Sequence, residues 1–234
     1  MAMAAVIRIE TLHMRGEQIQ GLSVPELVLV LDNLPARLVA PDARILSAGR
    51  NLTVVIPVSV AGQNKQWAVK RFPPSFARSP REGKAWDSWD ASLFLRSNGV
   101  PVPAPVAILE TKAGVSEAVS YFITEFLPER YTFKDELIRI YRDGLECETL
   151  MTLLELVARN IRQMHDAGFL HNDLGNQNIL LARKGDRDWE SVEFIDLNRG
   201  RIRDGLSVRY LVSEPVETFL DQTGLYRKAF KKGD

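Results

Sequence analysis

The chain has 234 residues, 45% of them hydrophobic and 26% charged, which is typical of an ordinary soluble protein and excludes a collagen-like or low-complexity chain. Thirty basic residues balance thirty acidic ones, so a whole-protein attraction to nucleic acid has no support and we expect no nucleic-acid partner. The single cysteine, Cys147, excludes an internal disulfide and a CxxC metal pair, and indicates a reducing, cytoplasmic location.

The first 72 residues predict a short β-strand, a helix and then three antiparallel strands. "VIRIE" is the strand candidate, and "PELVLVLDNL" predicts a helix with Pro25 in its first turn. Residues 1–40 carry no assignable chemistry. From Arg44 to Phe72, "ARILSAG", "LTVVIPVSV" and "KQWAVKRF" are separated by Gly49 and by a turn at 61–64, which predicts a meander of strands.

A helix is predicted next, because "REGKAWDSWDASLFLRSNG" places Trp86, Trp89 and Leu93 at helical spacing. We expect both tryptophans to pack against the sheet. Prolines at 101, 103 and 105 prevent the helix from continuing, and "VAILE" and "AVSYFITEFL" predict two further strands. Residues 1–127 therefore predict an N-terminal lobe with a sheet of about five strands and one inserted helix.

Residues 128–234 predict a short, mainly helical C-terminal lobe. "TFKDELIRIYRDG" is the first helix, and an apolar stripe predicts a long amphipathic helix that ends near Gly168. The residues of this stripe are Leu150, Leu153, Leu154, Val157, Ile161 and Met164. A polar turn, "HNDLGNQN", precedes a strand at 179–181, and "SVEFIDLNRG" predicts a second strand that carries Asp196.

The polar turn indicates a site for a divalent cation. Asp173 and Asn178 lie five residues apart in a loop, and a hairpin of residues 179–196 brings both to the same edge as Asp196. Carboxylate and amide oxygens are ligands that Mg²⁺ accepts alongside phosphate oxygens. Lys70, at the end of the apolar strand "WAVK", is placed to pair with phosphates, and His171 is expected to bond backbone near the loop.

These motifs resemble those of protein-kinase-like enzymes. "HNDLGNQN" resembles the HRDLxxxxN catalytic loop, "WAVK" resembles the VAIK strand, and "FIDLN" is similar to the DFG segment. The wording of "LSAGRNLTVV", "GVPVPAPVAILE", "YFITEFL", "MHDAGFLHNDL" and "FIDLNRGR" is similar to the lipopolysaccharide kinases that phosphorylate Kdo or heptose in the inner core. The resemblance covers about residues 44–203.

The resemblance implies a role for each candidate residue. Asp173 would accept or orient the proton of the attacking sugar hydroxyl, while Asn178 and Asp196 would hold Mg²⁺ on the phosphates of ATP. Lys70 would contact the α- and β-phosphates, and Gly49 would allow the backbone to approach them. Few side chains suffice, because phosphoryl transfer depends mainly on alignment and charge neutralisation.

The resemblance also implies a hinge at Glu125 to Leu127 that meets the adenine. The chain departs from the kinase pattern at three places: only Gly49 remains of the glycine-rich loop, the DFG equivalent reads Asp-Leu-Asn from Asp196, and no glutamate occupies the expected position on the inserted helix. That position falls on Ser88, with Asp87 adjacent and Glu82 earlier, so the acidic partner of Lys70 is left open.

Each candidate has a structural alternative. Asp173 alone could cap a turn, Lys70 could be an edge-strand lysine that discourages strand pairing, and Gly49 could be a plain turn glycine. In "RKAFKK" near the end, four of six residues are basic, which suits either a solvated tail or contact with anionic lipid headgroups. No apolar run approaches the about 20 residues that span a bilayer, so any membrane contact is expected to be peripheral.

The sequence thus predicts an α+β, bilobal protein-kinase-like fold with ATP between a lobe at 1–127 and a lobe at 128–234. The predicted function is ATP- and Mg²⁺-dependent phosphorylation of a lipopolysaccharide inner-core sugar hydroxyl, at the cytoplasmic face of the inner membrane. Two alternatives stay open. One is a small-molecule or RIO-like protein kinase, and the other is a nucleotide-binding pseudokinase that acts as a scaffold.

Overall fold

The computed structural model describes residues 5–20, 25–49, 51–60, 62–73, 82–112, 118–145 and 147–203. The chain divides into two compact units, Met1–Leu93 with Pro103–Leu127 as unit 1, and Phe94–Val102 with Pro128–Asp234 as unit 2. The basic tail "RKAFKK" lies outside the described residues.

Unit 1 contains a seven-stranded antiparallel sheet. In chain order its strands are β1 Val6–Glu10, β2 Met14–Ile19, β3 Arg44–Ala48, β4 Leu52–Val60, β5 Gln63–Phe72, β6 Pro105–Thr111 and β7 Ser120–Glu125. They lie in the order β1-β2-β6-β7-β5-β4-β3. The predicted meander is confirmed as β3, β4 and β5. The prediction of about five strands is too low by two. The predicted strand "VIRIE" joins the sheet as β1, and β2, which reads "MRGEQI", lacks the β-branched and aromatic residues that mark strands in a sequence.

Both faces of this sheet are covered within unit 1. The helices are α1 Pro25–Asp32, α2 Leu34–Arg37 and α3 Lys84–Ser97, whose last residues belong to unit 2. Leu31 and Leu34 pack with Val54 and Ile56 of β4 and with their neighbours on one face. The N-terminal segment, which has no function assigned from the sequence, therefore forms part of the core.

The opposite face packs against α3. Trp86 and Trp89 form an apolar cluster with Phe72, Ile108 and Phe122, as predicted for the two tryptophans. Because side chains alternate between the faces of a strand, Lys70 shares this face with Phe72. The indole N–H groups are satisfied as well, since Trp86 donates to Glu110 at 2.7 Å and Trp89 donates to Glu17 at 3.1 Å.

In the described residues, unit 2 combines two helices with five short strands. In chain order these are β8 Arg130–Thr132, α4 Phe133–Arg142, α5 Cys147–Asp166, β9 Phe169–Leu170, β10 Ile179–Gly185, β11 Asp188–Phe194 and β12 Arg201–Ile202. The strands form one sheet in the order β11-β10-β8 and a small ladder of β12 with β9. Residues Leu197–Arg199 form a single 3₁₀ turn.

The two helices of unit 2 follow their sequence signals closely. Thr132 caps α4 through a capping box with Asp135. The predicted apolar stripe forms the buried side of α5, with Leu153, Val157 and Met164 inaccessible to solvent. Within the part of the chain that the structure describes, no helix is long and apolar enough to cross a membrane.

Candidate active site

A β-hairpin aligns the predicted metal-binding residues. Strands β10 and β11 pair antiparallel with Ile179 opposite Phe194, so the residues just before β10 and just after β11 meet at one end. The Ile195 N–H donates to the carbonyl oxygen of Asn178 at 3.0 Å. Asn178 therefore lies beside the backbone that leads directly into Asp196, as the hairpin in the sequence predicts.

The side chain of Asn178 is oriented by the loop that carries Asp173. Its Nδ2 donates to the Asp173 carbonyl oxygen at 2.8 Å, which leaves the amide oxygen as the atom available to a cation. The Gly175 N–H donates to the same carbonyl at 2.8 Å. The backbone of Asp173 thus organises the loop, while its carboxylate remains 42% exposed and accessible to a substrate.

Asp196 is held in a left-handed backbone conformation, with φ of 61° and ψ of 49°. Few non-glycine residues adopt this region, although aspartate and asparagine are the more tolerant ones. The Asn198 side-chain amide donates to Oδ1 of Asp196, and Asn198 is itself buried. Asn198, which the sequence marks only as a departure from DFG, fixes the orientation of the predicted metal-binding carboxylate.

This donor set fits a magnesium ion that also takes phosphate oxygens. Among the described residues no group of three or more His, Cys, Asp or Glu side chains could hold a metal by itself. The Asn178 amide oxygen and the Asp196 carboxylate supply two hard oxygen ligands, and Mg²⁺ commonly completes its shell with water and substrate phosphates. The structure is therefore compatible with a cation bound together with a nucleotide.

His171 lies under the loop as a structural residue, as predicted. Its side chain is buried, and its Nε2–H donates to the carbonyl oxygen of Ile195 at 2.9 Å. Burial lowers the pKa of His171 below its usual value, and the bond to Ile195 only partly opposes this effect. A neutral imidazole follows, so His171 ties the loop to the residue that precedes Asp196.

An arginine that sequence reasoning missed lies beside the predicted base. The Arg199 Nη1 is 3.4 Å from Oδ2 of Asp173, and the Arg199 side chain is 49% exposed. The Asn172 side chain donates to the Arg199 carbonyl oxygen at 3.0 Å, which holds the backbone of this residue against the loop. The signal for Arg199 was available in the run "RGRIR", but nothing in the sequence placed it near Asp173.

Substituting Gly200 tests the packing that holds this arginine in place. A Cβ on Gly200 would lie 2.0 Å from the ring of Phe169, a fully buried side chain that cannot move aside cheaply. We expect Gly200→Ala to destabilise the protein by about 1–3 kcal/mol, as overpacking does. Urea unfolding measures this, with Gly185→Ala as the control, because its Cβ would meet no atom within 4 Å. Equal stability of the two variants would contradict the tight contact.

The remaining predicted site residues lie in unit 1. Lys70 pairs with Thr53 across β4 and β5, so it lies at the same end of the strand pair as the turn that contains Gly49. The Gly49 N–H donates to the Asn51 carbonyl oxygen at 3.3 Å, and Gly49 is exposed with open space around it. The Lys70 ammonium also lies 5.4 Å from the centre of the Phe72 ring.

The predicted hinge begins where β7 ends. The Glu125 N–H donates to Ala104 at 2.8 Å and the Phe126 N–H donates to Gln66 at 2.9 Å, while the Glu125 carboxylate pairs with Lys65 at 3.0 Å. Among the described residues, no backbone carbonyl accepts from the Leu127 N–H. Leu127 therefore has the backbone donor that an adenine contact would need.

The expected glutamate position on the inserted helix is occupied by a hydroxyl that is already engaged. Ser88 is buried, and its hydroxyl donates to the Lys84 carbonyl oxygen at 2.8 Å. Partial burial and the nearby carboxylate of Asp90 raise the pKa of Asp87, the opposite of the effect of an adjacent ammonium. Neither Ser88 nor Asp87 thus shows the properties of a counter-ion for Lys70.

Glu136 of α4 has a fully buried carboxylate that contacts the β10–β11 hairpin. It accepts hydrogen bonds from Arg183 Nε at 2.9 Å, from Arg139 Nη2 at 3.1 Å and from the Trp189 indole at 2.9 Å. The same helix reaches the loop, since the Lys134 N–H donates to the Asn176 carbonyl oxygen at 3.0 Å. Glu136 connects α4 to both strands that lead into the candidate site.

Comparison with known proteins gives three concordant findings. The sequence model of the "Lipopolysaccharide kinase (Kdo/WaaP) family" matches residues 69–209. A "3-deoxy-D-manno-octulosonic acid kinase" of Vibrio cholerae serotype O1 is 31% identical over 111 residues, which is 47% of this chain and 42% of that protein. A solved structure, "WaaP in complex with acyl carrier protein", is similar in fold, with a TM-score of 0.53.

The extent of these similarities is limited. The WaaP structure is 24% identical, and the alignment covers 71% of this chain and 65% of that chain. The chain therefore spans less than half the length of the curated relative and less than two thirds of the solved one. The structural similarity establishes a shared mixed α/β fold with a large antiparallel sheet.

Proposed function

Because the chain belongs to the lipopolysaccharide kinase (Kdo/WaaP) family, we propose that it transfers the γ-phosphate of ATP to a sugar hydroxyl of the lipopolysaccharide inner core. The observation that carries the proposal is the hydrogen-bonded chain from Ile195 to Asn178 and from Asn178 to Asp173. It links the loop that carries Asp173, the candidate base, and Asn178 to the residue that precedes Asp196.

Asp173 acts on the acceptor in this proposal. Its carboxylate is accessible and accepts the proton of the sugar hydroxyl as that oxygen bonds to the γ-phosphorus and the bond to ADP breaks. The proton ends on Asp173, the phosphoryl group on the sugar and the electron pair on the leaving ADP. Backbone contacts at the Asp173 carbonyl keep the carboxylate in place without consuming its oxygens.

The family resemblance assigns the nucleotide contacts residue by residue. Asn178 and Asp196 would hold Mg²⁺, which neutralises negative charge on the phosphates of ATP when it is bound. Lys70 would contact the α- and β-phosphates, and the exposed Gly49 turn leaves space for them. Glu125 and Leu127 would form the hinge at the adenine, where the Leu127 N–H is the donor.

The proposed acceptor is a lipid-linked core sugar and the proposed donor is ATP. We therefore propose that the protein acts at the cytoplasmic face of the inner membrane, where both substrates are present. We propose peripheral contact with that surface through the basic segment near the C-terminus, which supplies cations for anionic headgroups. The acyl carrier protein in the similar solved structure is a partner of that WaaP. Co-purification would test whether an acyl carrier protein also binds this chain.

A transfer assay tests the proposed function directly. The purified protein is incubated with Mg²⁺, γ-labelled ATP and inner-core oligosaccharide that contains Kdo and heptose, and mass spectrometry locates the phosphate. We expect label on the oligosaccharide and none on a general protein substrate. Label on the protein substrate alone would favour a RIO-like kinase.

A pseudokinase is the second candidate, and it is favoured by the engaged hydroxyl of Ser88 at the expected glutamate position. In that case Mg·ATP would bind, as measured by calorimetry, while no acceptor gained phosphate. Phosphate on the core sugar excludes this scaffold role.

A further inference from the structure

A pocket of about 520 Å³ lies in unit 1, between the α1–α2 segment and the β4–β5 hairpin. This volume is in the range of sites for small molecules. The lining combines apolar side chains, Val30 and Val58, with polar ones, among them Arg37, Ser59 and Lys65. None of the lining residues belongs to the candidate active site, and we refer to this cavity as the hairpin pocket.

The edge of β4 is open at the hairpin pocket. β3 pairs with β4 only as far as Val55, which leaves the rest of β4 without a partner strand on that side. The Phe126 N–H donates to the carbonyl oxygen of Gln66, so the backbone groups of Gln66 face β7. Those of Pro57, opposite Gln66, therefore face away from β5. Ser59, two residues further, has the same orientation, and among the described residues no group accepts from its N–H.

Two cations and one acid line the pocket. The Arg37 Nη2 donates to the Pro57 carbonyl oxygen at 2.6 Å, which fixes the guanidinium at the open edge. Lys65 pairs across the hairpin with Val58, the neighbour of Pro57, so the second cation arises from the same part of the sheet. The acid, Asp42, lies 3.5 Å from Nη2 of Arg37 and is 51% exposed. Exposed pairs of this kind are weak, so the guanidinium remains available to another anion.

Lys65 also connects the hairpin pocket to the predicted hinge. Its Nζ donates to Oε1 of Glu125 at 3.0 Å, and both side chains are partly exposed. Lys70 lies five residues further along β5, so its side chain is on the opposite face of the sheet. The pocket is therefore separate from the predicted phosphate contacts, although it shares a lysine with the hinge.

We propose that the hairpin pocket binds a small organic anion, a carboxylate or a phosphate monoester that carries an apolar body. Arg37, Lys65 and the Ser59 N–H bind the charged group, because charge-assisted hydrogen bonds are the strong ones. Val30 and Val58 contact the apolar body. The bound anion competes with Glu125 for Lys65 and so weakens the ion pair that braces the hinge. This last step rests on the proposed nucleotide site, whereas binding of the anion does not.

Titration with benzoate, phenyl phosphate and benzyl alcohol, followed by ligand-detected NMR, tests the pocket and distinguishes the two kinds of anion. We expect at least one anion to bind wild type about 10-fold more tightly than the uncharged alcohol. Arg37→Gln and Lys65→Gln should each weaken binding of that anion by about 5- to 10-fold. Lys65→Gln keeps the bond between Arg37 and Pro57, so it serves even if Arg37→Gln fails to fold. Equal affinity for all three compounds, or no binding of any of them, would overturn the proposal.

Two control variants locate the bound anion. Arg15→Gln removes a 57% exposed arginine from β2 of the same unit and should keep wild-type affinity. Lys70→Gln should also keep it, because Lys70 lies on the opposite face of the sheet. Weaker binding to Lys70→Gln would overturn the proposal, since the anion would then occupy the predicted phosphate site.

Calorimetry tests the connection to the hinge. With the anion at saturation, the Kd of wild type for ATP should rise about 2- to 5-fold, the effect of losing an exposed ion pair. Lys65→Gln, which has no such pair to lose, should show no change. An unchanged Kd in wild type would overturn the connection. If wild type binds no ATP at all, the proposed function fails, and the NMR titration still decides whether the pocket binds the anion.

Discussion

Replacing Asp173 with asparagine is expected to lower kcat for phosphate transfer by about 100- to 10,000-fold, the usual range for losing a general base. Asparagine is nearly the same size but cannot accept the hydroxyl proton. The fold should persist, because Asn178 and Gly175 contact the carbonyl oxygen of residue 173 and not its side chain. Phosphate incorporation into core oligosaccharide under saturating Mg·ATP provides the measurement.

Asp166→Asn is the matched control, since Asp166 is an exposed aspartate at the end of α5 whose contact is an ion pair with Arg162. We expect its turnover to equal that of wild type. The affinity for ATP in the Asp173 variant should stay within a few-fold of wild type, as measured by calorimetry. Turnover of the Asp173 variant at the wild-type rate would reject the assignment of the base.

Removing the buried carboxylate of Glu136 should produce the largest loss of stability. Glu136→Ala leaves the guanidinium groups of Arg139 and Arg183 and the indole N–H of Trp189 without their shared acceptor. Breaking a buried ion pair by deleting one partner costs about 3–5 kcal/mol. Chemical denaturation measures the free energy of unfolding, and Glu155→Ala, at an exposed position on α5, should change it by about 0.5 kcal/mol or less.

The pH dependence provides a second readout for Glu136. Burial alone would raise the pKa of this carboxyl, but hydrogen bonds from Arg183, Trp189 and Arg139 outweigh burial and lower the pKa below 4.5. A carboxyl with a depressed native pKa stabilises the fold above its unfolded pKa, and this contribution is lost as pH falls through the native value. The stability difference between wild type and Glu136→Gln should thus be largest near neutral pH and shrink below about pH 4.5. A difference independent of pH would contradict an ionised Glu136.

The elements that could be predicted from the sequence are those whose signal is local. The stripe on α5, the hairpin between residues 179 and 196 and the meander β3 to β5 all follow from periodicity and turn residues. β2 was missed because its polar composition carries no strand signal, and pairing with β1 and β6 decides its conformation. Tertiary pairing here overrides local propensity.

The candidate site was only partly predictable. The spacing of Asp173, Asn178 and Asp196 identified the loop, because hairpin register follows from the strands. The contributions of Asn198 and Arg199 depend on the left-handed turn at Asp196, which redirects the chain in a way that composition does not encode. Glu136 was detectable in principle: it falls on the buried side of α4 with Phe133 and Ile140, where an acid on an apolar stripe indicates a buried pair.

The N-terminal hairpin and the two short helices after it have a practical consequence for protein engineering. The family match begins at residue 69, which lies in β5. However, Ile9, Met14, Leu31 and Leu34 belong to the same apolar cluster as residues of β4, β5, β6 and β7. An expression fragment trimmed to the matched region would expose the apolar surface of these strands to water and promote aggregation. Fragment boundaries for this protein should be chosen from its packing, with β1, β2, α1 and α2 retained because they complete the core of unit 1.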